Sequence, residues 1–313
     1  MKKKTAALLA LTGLTGFAGL SFAISERLFK LAFQRVDYVP ETSDDKKKYA
    51  HRYWDYMDWF KHSPKQQWTL PNTDEEGQMS AYFIPAADAE SKKTVMIFRG
   101  YKGNGPTMSG YAKMFHDMGF NVLLPDERAH GESAGKYINF GWLDRLDALR
   151  WINELVKKQG QDAKILLFGV SMGGATVEML SGEKLPVQVK CLIADCGYSD
   201  IEEEMTYLLK QQFHLPKYPV YPLVSTINRH RLGFYLGDVS SKKQLEKNKL
   251  PIMFIHGEKD VLVPTNMAYE NFHATKAPKE LWIVDGATHA ESFWKDSAEY
   301  QRHIQNFLQK YFY

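Results

Sequence analysis

Lys164-Ile165-Leu166-Leu167-Phe168-Gly169-Val170-Ser171-Met172-Gly173 is the stretch that decides how this chain folds. The apolar run Lys164–Phe168 reads as a buried strand. The residues from Met172 to Leu180 read as a helix. Ser171 therefore falls on the turn between strand and helix, with Gly169 and Gly173 two positions to either side. Such a turn strains the serine backbone and projects its hydroxyl above a sheet, where bulky neighbours would collide. A nucleophilic serine is presented in this way.

Working outward, further strands alternate with helices. Gln67–Leu70 and Met79–Ile84 flank the turn Asn72–Gly77 and predict an antiparallel hairpin. Strands are predicted at Thr94–Phe98, Asn121–Leu124, Val189–Ala194, Pro251–Ile255 and Glu280–Val284. Helices are predicted over Pro106–Met118, Gly141–Lys158, Thr265–Thr275 and Ser297–Phe312. This alternation predicts an α/β fold with a mainly parallel sheet and helices on both faces. A helical, aromatic insert occupies residues 198–249, with Tyr207, Phe213, Tyr218, Tyr221, Phe234 and Tyr235. Upstream, Ser43-Asp44-Asp45 can cap a helix carrying Tyr49, Tyr53, Trp54, Tyr56, Met57 and Trp59. That aromatic set reads as the packing face of an amphipathic helix rather than a ligand cage.

Composition excludes several classes. The 313 residues suit one large α/β domain with additions, and an apolar share of 44% with 25% charged residues is that of a globular chain. A net charge of +3 without an aromatic-interleaved basic stripe argues against nucleic-acid partners. Cys191 and Cys196 fall on or just after one strand, about 16 Å apart if extended, and read as buried thiols. CxxC and HExxH patterns do not occur, so no metal site and no cofactor are expected.

The amino terminus reads as a targeting segment. Lys2-Lys3-Lys4 precedes Ala6–Ile24, which carries no charge, and Ser25-Glu26-Arg27 ends the run. An uncleaved single-pass membrane anchor is expected, with the lysines inside and the catalytic domain extracytoplasmic. Two alternatives stay open: a signal cleaved after Ala23, releasing a secreted protein, and a cytosolic helix. The expected organisation is residues 1–36 as anchor and juxtamembrane helix, and 37–313 as the main domain.

The chain resembles the α/β-hydrolase superfamily over residues 66 to 312. Gly169-Val170-Ser171-Met172-Gly173 is similar to its G-x-S-x-G elbow. His256-Gly257-Glu258-Lys259-Asp260-Val261-Leu262-Val263-Pro264 resembles its acid-bearing segment, and Gly286-Ala287-Thr288-His289 its final histidine loop. Asp126-Glu127-Arg128-Ala129-His130-Gly131-Glu132-Ser133 is similar to its D-x-R-G-H-G-x-S turn, with Ala129 in place of glycine. The subgroup it resembles is the membrane-anchored extracytoplasmic serine hydrolases related to serine aminopeptidases and monoacylglycerol lipases. The resemblance implies an α/β-hydrolase fold, with the 198–249 insert as a short helical lid.

The chemistry follows from the residue types. A serine hydroxyl needs a base to become nucleophilic. A histidine can take its proton and return it to the leaving group, and a carboxylate must orient the imidazole. Ser171, Asp260 and His289 follow strand ends in the order of this superfamily. Asp195 and Asp285 compete with Asp260 for the role of acid. His130 and His256 read as structural hydrogen-bonding residues. Backbone N–H groups must meet the oxyanion; Met172 supplies one, and the resemblance assigns the second to Tyr101. Arg99 stands where the family often has histidine and reads as a salt-bridging residue. The expected activity is hydrolysis of a carboxylic ester carrying an apolar group. A peptidase or amidase is the alternative within the class, and a non-catalytic binding protein on the same fold is the alternative outside it.

Overall fold

The computed structural model describes residues 2–37, 47–74 and 77–313. The expected cap Ser43–Asp45 lies outside them, as do Glu75 and Glu76 of the hairpin turn. The chain divides into two compact units, Met1–Gln34 with Ile201–Val239, and Arg35–Asp200 with Ser240–Tyr313.

The larger unit is built on eight strands: β1 (Gln66–Pro71), β2 (Gln78–Ile84), β3 (Lys93–Phe98), β4 (Asn121–Pro125), β5 (Lys164–Val170), β6 (Val189–Asp195), β7 (Ile252–Gly257) and β8 (Lys279–Val284). Their order across the sheet is β1-β2-β4-β3-β5-β6-β7-β8. The β1–β2 hairpin and the β2–β4 pairing are antiparallel, and every pairing from β4 to β8 is parallel.

Strand periodicity explains why the central strands read as unbroken apolar runs. In β5, Leu166, Phe168 and Val170 enter one core while Ile165 and Leu167 enter the other. Side chains alternate across a sheet, so a strand covered on both faces must be apolar at every position. The first face is covered by Phe60 from the helix Ala50–His62, Tyr111 and Phe115 from Ser109–Asp117, and Tyr300, Ile304 and Phe307 from Ser297–Tyr311. The second face is covered by Trp151, Ile152 and Leu155 from Asp144–Gln159, and Val177 and Leu180 from Met172–Leu180. Tyr49, Tyr53, Tyr56 and Trp59 pack on the first core, as expected of an amphipathic face.

The expected helix over Pro106–Met118 begins as a 3₁₀ turn at Gly105–Met108 before the α-helix from Ser109. The Asn104 side chain caps that turn by accepting the Thr107 N–H. The helix expected from Gly141 begins at Asp144 instead. Gly141 has φ +79°, a left-handed conformation outside the helix.

In the smaller unit, one helix runs from Lys2 to Phe33, and two more span Ile201–Phe213 and Lys217–Leu232. Ser21, Ser25, Phe29 and Phe33, spaced four apart on the first helix, are buried. The Ser25 hydroxyl donates to the Val220 carbonyl at 3.4 Å, and Glu26 pairs with Arg231 at 2.7 Å. This part of the amino-terminal segment therefore packs with the insert helix Lys217–Leu232, a partnership that the 1–36 and 37–313 division did not anticipate. Among the described residues no helix is long and apolar enough to cross a membrane.

Trp151 is 1% exposed in the second core. Trp151→Ala should lower stability by about 3–5 kcal/mol, the cost of removing a large buried ring, read as a fall in the urea midpoint.

Candidate active site

Ser171 sits between β5 and the helix Met172–Leu180 with φ +58° and ψ −120°. A non-glycine residue at positive φ is strained, so its surroundings must hold it there. They do so from both sides. The Ser171 N–H donates to the Asp195 carbonyl at 2.8 Å, and the Ser171 carbonyl accepts from the Ala175 N–H at 3.0 Å. The flanking glycines are obligatory. A Cβ on Gly169 would lie 2.1 Å from the Gly173 carbonyl oxygen, and one on Gly173 would lie 2.2 Å from the Phe98 carbonyl oxygen.

His289 lies on the loop after β8. Its Nε2 is 2.8 Å from the Ser171 hydroxyl, and its Nδ1 is 2.7 Å from Asp260 Oδ2. A carboxylate only accepts, so Nδ1 carries the ring proton and Nε2 of the neutral ring accepts from the serine. Asp260, in the loop after β7, is buried. Its Oδ1 accepts the N–H groups of Leu262 and Val263, both at 2.9 Å. Its Oδ2 also faces His256 Nε2 at 3.3 Å. Burial by itself would raise the Asp260 carboxyl, but the hydrogen bonds from His256 and His289 outweigh it and hold the group well below the usual carboxylate range. Asp260 therefore stays ionised beside the imidazole.

Asp195 and Asp285 make other contacts. Asp195 is buried and accepts from the Tyr300 hydroxyl at 2.9 Å, and burial pushes its carboxyl up to about 6. The Asp285 carbonyl accepts from the Lys295 ammonium. Cys196 Sγ, an Asp260 oxygen and a His289 nitrogen lie within 4.8 Å of one another. A metal ion would have to displace partners there, because the two Asp260 oxygens already face two backbone N–H groups and two imidazoles.

Tyr101 lies in the loop after β3. Its neighbour Gly100 is so close to the elbow that a Cβ there would be 3.6 Å from Ser171 Cβ. Met172 is the first residue of its helix, where the N–H has no intrahelical acceptor. Arg99 is 1% exposed, and its role is that of a strut. It donates to the Gly103 carbonyl at 3.0 Å, to the Pro125 carbonyl at 3.1 Å and to the Glu127 carbonyl at 3.2 Å, and it pairs with the Glu127 carboxylate. The salt-bridging reading of Arg99 is what the geometry presents.

Two further residues support the site, and the sequence reading missed one of them, Glu291. His256, read as a structural hydrogen-bonding residue, has its Nε2 2.9 Å from the Val263 carbonyl and 3.3 Å from the carboxylate that orients His289. Glu291 anchors the histidine loop: one carboxylate oxygen accepts the Thr288 N–H at 2.8 Å and hydroxyl at 2.9 Å, and the other accepts the Tyr49 hydroxyl at 2.9 Å. Lys48 also pairs with Glu291. Burial opposes ionisation of Glu291, but these donors hold its carboxyl down at about 2. The spacing Thr288-x-x-Glu291, that of a capping box, was the available signal.

Residues 89–232 match the family described as serine aminopeptidase, S33. The chain is 28% identical to the uncharacterized protein YqkD of Bacillus subtilis over 245 residues, covering 75% of this chain and 80% of that one. It superposes on an esterase of Pyrococcus furiosus with a TM-score of 0.66 at 21% identity, covering 90% of this chain and 99% of the esterase. An acylaminoacyl peptidase of Pyrococcus horikoshii gives a TM-score of 0.60 at 15% identity, covering 80% of this chain and 42% of the peptidase. With its sheet order and these similar structures, the chain has the α/β-hydrolase fold.

Because a methyl group at Gly173 meets rigid backbone, Gly173→Ala should cost at least about 1–3 kcal/mol and displace the elbow. A lower thermal midpoint, together with slower reaction of Ser171 with a fluorophosphonate, is the expected result.

Proposed function

We propose that this protein is a serine hydrolase that cleaves a carboxylic ester through an acyl-enzyme. One observation carries the reading: a strained, glycine-flanked Ser171 hydrogen-bonded to His289, which is in turn hydrogen-bonded to an ionised Asp260. In the first half-reaction Ser171 Oγ attacks the ester carbonyl carbon while its proton passes to His289 Nε2. Asp260 stabilises the imidazolium that forms. The oxyanion is met by the N–H groups of Met172 and Tyr101. Collapse of the tetrahedral adduct breaks the bond to the alkoxy oxygen, which leaves with the proton from His289. Water then repeats the sequence in place of serine, releasing the carboxylic acid and restoring Ser171.

Amide or peptide cleavage uses the same atoms with an amine as leaving group. The family description and the peptidase among the similar structures support that second reading. Parallel assays on p-nitrophenyl esters and aminoacyl p-nitroanilides decide between them.

A fluorophosphonate should label the wild type and fail to label Ser171→Ala. Equal labelling of the two proteins would remove Ser171 from the reaction. Asp260→Asn should reduce kcat by about 10²–10⁴-fold, because an amide in place of the carboxylate favours the wrong imidazole tautomer. Asp195→Asn should retain most activity. The reverse pattern in steady-state kinetics would move the acid from Asp260 to Asp195.

A further inference from the structure

The loop Arg99–Asn104 contains a second strained residue. Lys102 has φ +58°, a conformation that a lysine adopts only when something holds it. Its backbone N–H donates to His130 Nε2 at 3.1 Å. The other ring nitrogen, Nδ1, is 2.8 Å from the Arg128 carbonyl. A carbonyl only accepts, so Nδ1 carries the proton and Nε2 presents a lone pair to Lys102. Only a neutral imidazole can satisfy both contacts. The surroundings keep it neutral: burial, and then the neighbouring charges of Arg99, Arg35 and Lys102, push the His130 pKa well below that of an ordinary histidine, against the Arg128 carbonyl.

The turn that carries His130 is itself braced. Ala129 has φ +61° and Gly131 φ +46°. Asp126 Oδ2 accepts the Glu132 N–H at 3.0 Å, and Asp126 Oδ1 accepts the Gly105 N–H at 3.2 Å. The Arg35 guanidinium donates to the Gly131 carbonyl at 2.6 Å and the Ser133 carbonyl at 2.5 Å. The loop after β3 is thus held from the Asp126–Ser133 turn at three points: Gly103 through Arg99, Gly105 through Asp126, and Lys102 through His130.

We infer that His130 is a positioning residue for oxyanion stabilisation: its neutral imidazole pins the peptide that follows Tyr101 and so sets the aim of the Tyr101 N–H. The inference rests on the serine hydrolase reading above. An aimed oxyanion donor acts on the transition state and leaves ground-state binding almost unchanged, so its loss is read in kcat and not in KM.

The test compares His130→Phe, which keeps a ring but offers no acceptor, with His130→Gln, whose amide oxygen can accept the Lys102 N–H. Ser171→Ala runs alongside, and p-nitrophenyl acetate is the substrate. His130→Phe should lose about 10²-fold in kcat, the low end for a lost oxyanion donor, with KM within about twofold of wild type. His130→Gln should recover to within about threefold. Wild-type kcat in His130→Phe while Ser171→Ala is inactive overturns this inference and leaves the hydrolase reading standing. So does equal loss in the Phe and Gln variants, or a loss confined to KM. Hydrolysis that survives Ser171→Ala undiminished overturns the hydrolase reading, and this inference with it. Should the variants fail to fold, nitrogen NMR of ¹⁵N-histidine-labelled wild type reads the tautomer directly. Nδ1-protonated His130 is the expected result, and Nε2-protonated or doubly protonated His130 overturns the inference.

Discussion

Almost every feature of the site is arranged around a backbone that is not in its resting conformation. Ser171 occupies positive φ, and the elbow exists because two strand-end carbonyls, of Asp195 and Phe98, stand where they do. The first accepts the Ser171 N–H, and the second leaves no room for a side chain at Gly173. Both carbonyls belong to strands adjacent to β5 in the sheet. The strain at one residue is therefore maintained by the parallel pairing of β3, β5 and β6, and the two apolar cores that bury β5 on both faces keep that pairing in register.

Electrostatics at the site follow from where hydrogen-bond capacity is spent. Asp260 is buried, which opposes its ionisation, yet it faces two imidazoles and two backbone N–H groups that favour the charge. Asp195, more deeply buried, accepts from the Tyr300 hydroxyl, and burial prevails there. Two aspartates at neighbouring strand ends thus shift in opposite directions, Asp195 through its depth and Asp260 through its donors. Glu291 repeats the Asp260 solution in the histidine loop, where Lys48, Tyr49 and Thr288 supply the donors.

The loop after β3 is governed by the same economy of buried groups. A fully buried guanidinium at Arg99 would be costly alone, but its hydrogens go to three carbonyls and a carboxylate. His130 adds a neutral acceptor. The acidic and imidazole groups of the Asp126–Ser133 turn, with Arg99, thereby act as a frame for the glycine-rich loop after β3.

The sequence by itself determined the fold class, because a strand buried on both faces must be apolar throughout and a strand–helix elbow must be flanked by glycines. Those signals are local and survive in one dimension. It also named Ser171, Asp260 and His289 from their positions after strand ends, and ranked Asp260 above Asp195 and Asp285. Only the tertiary structure decided what each side chain faces: Tyr300 for Asp195, and both His289 and His256 for Asp260. It also revealed Glu291 bracing the histidine loop, and the amino-terminal helix packing with the insert helix Lys217–Leu232. The physical reason is the direction and reach of hydrogen bonds. A 2.7 Å contact between residues 29 positions apart depends on how two strands register and where their loops turn, and no periodicity in the chain encodes it.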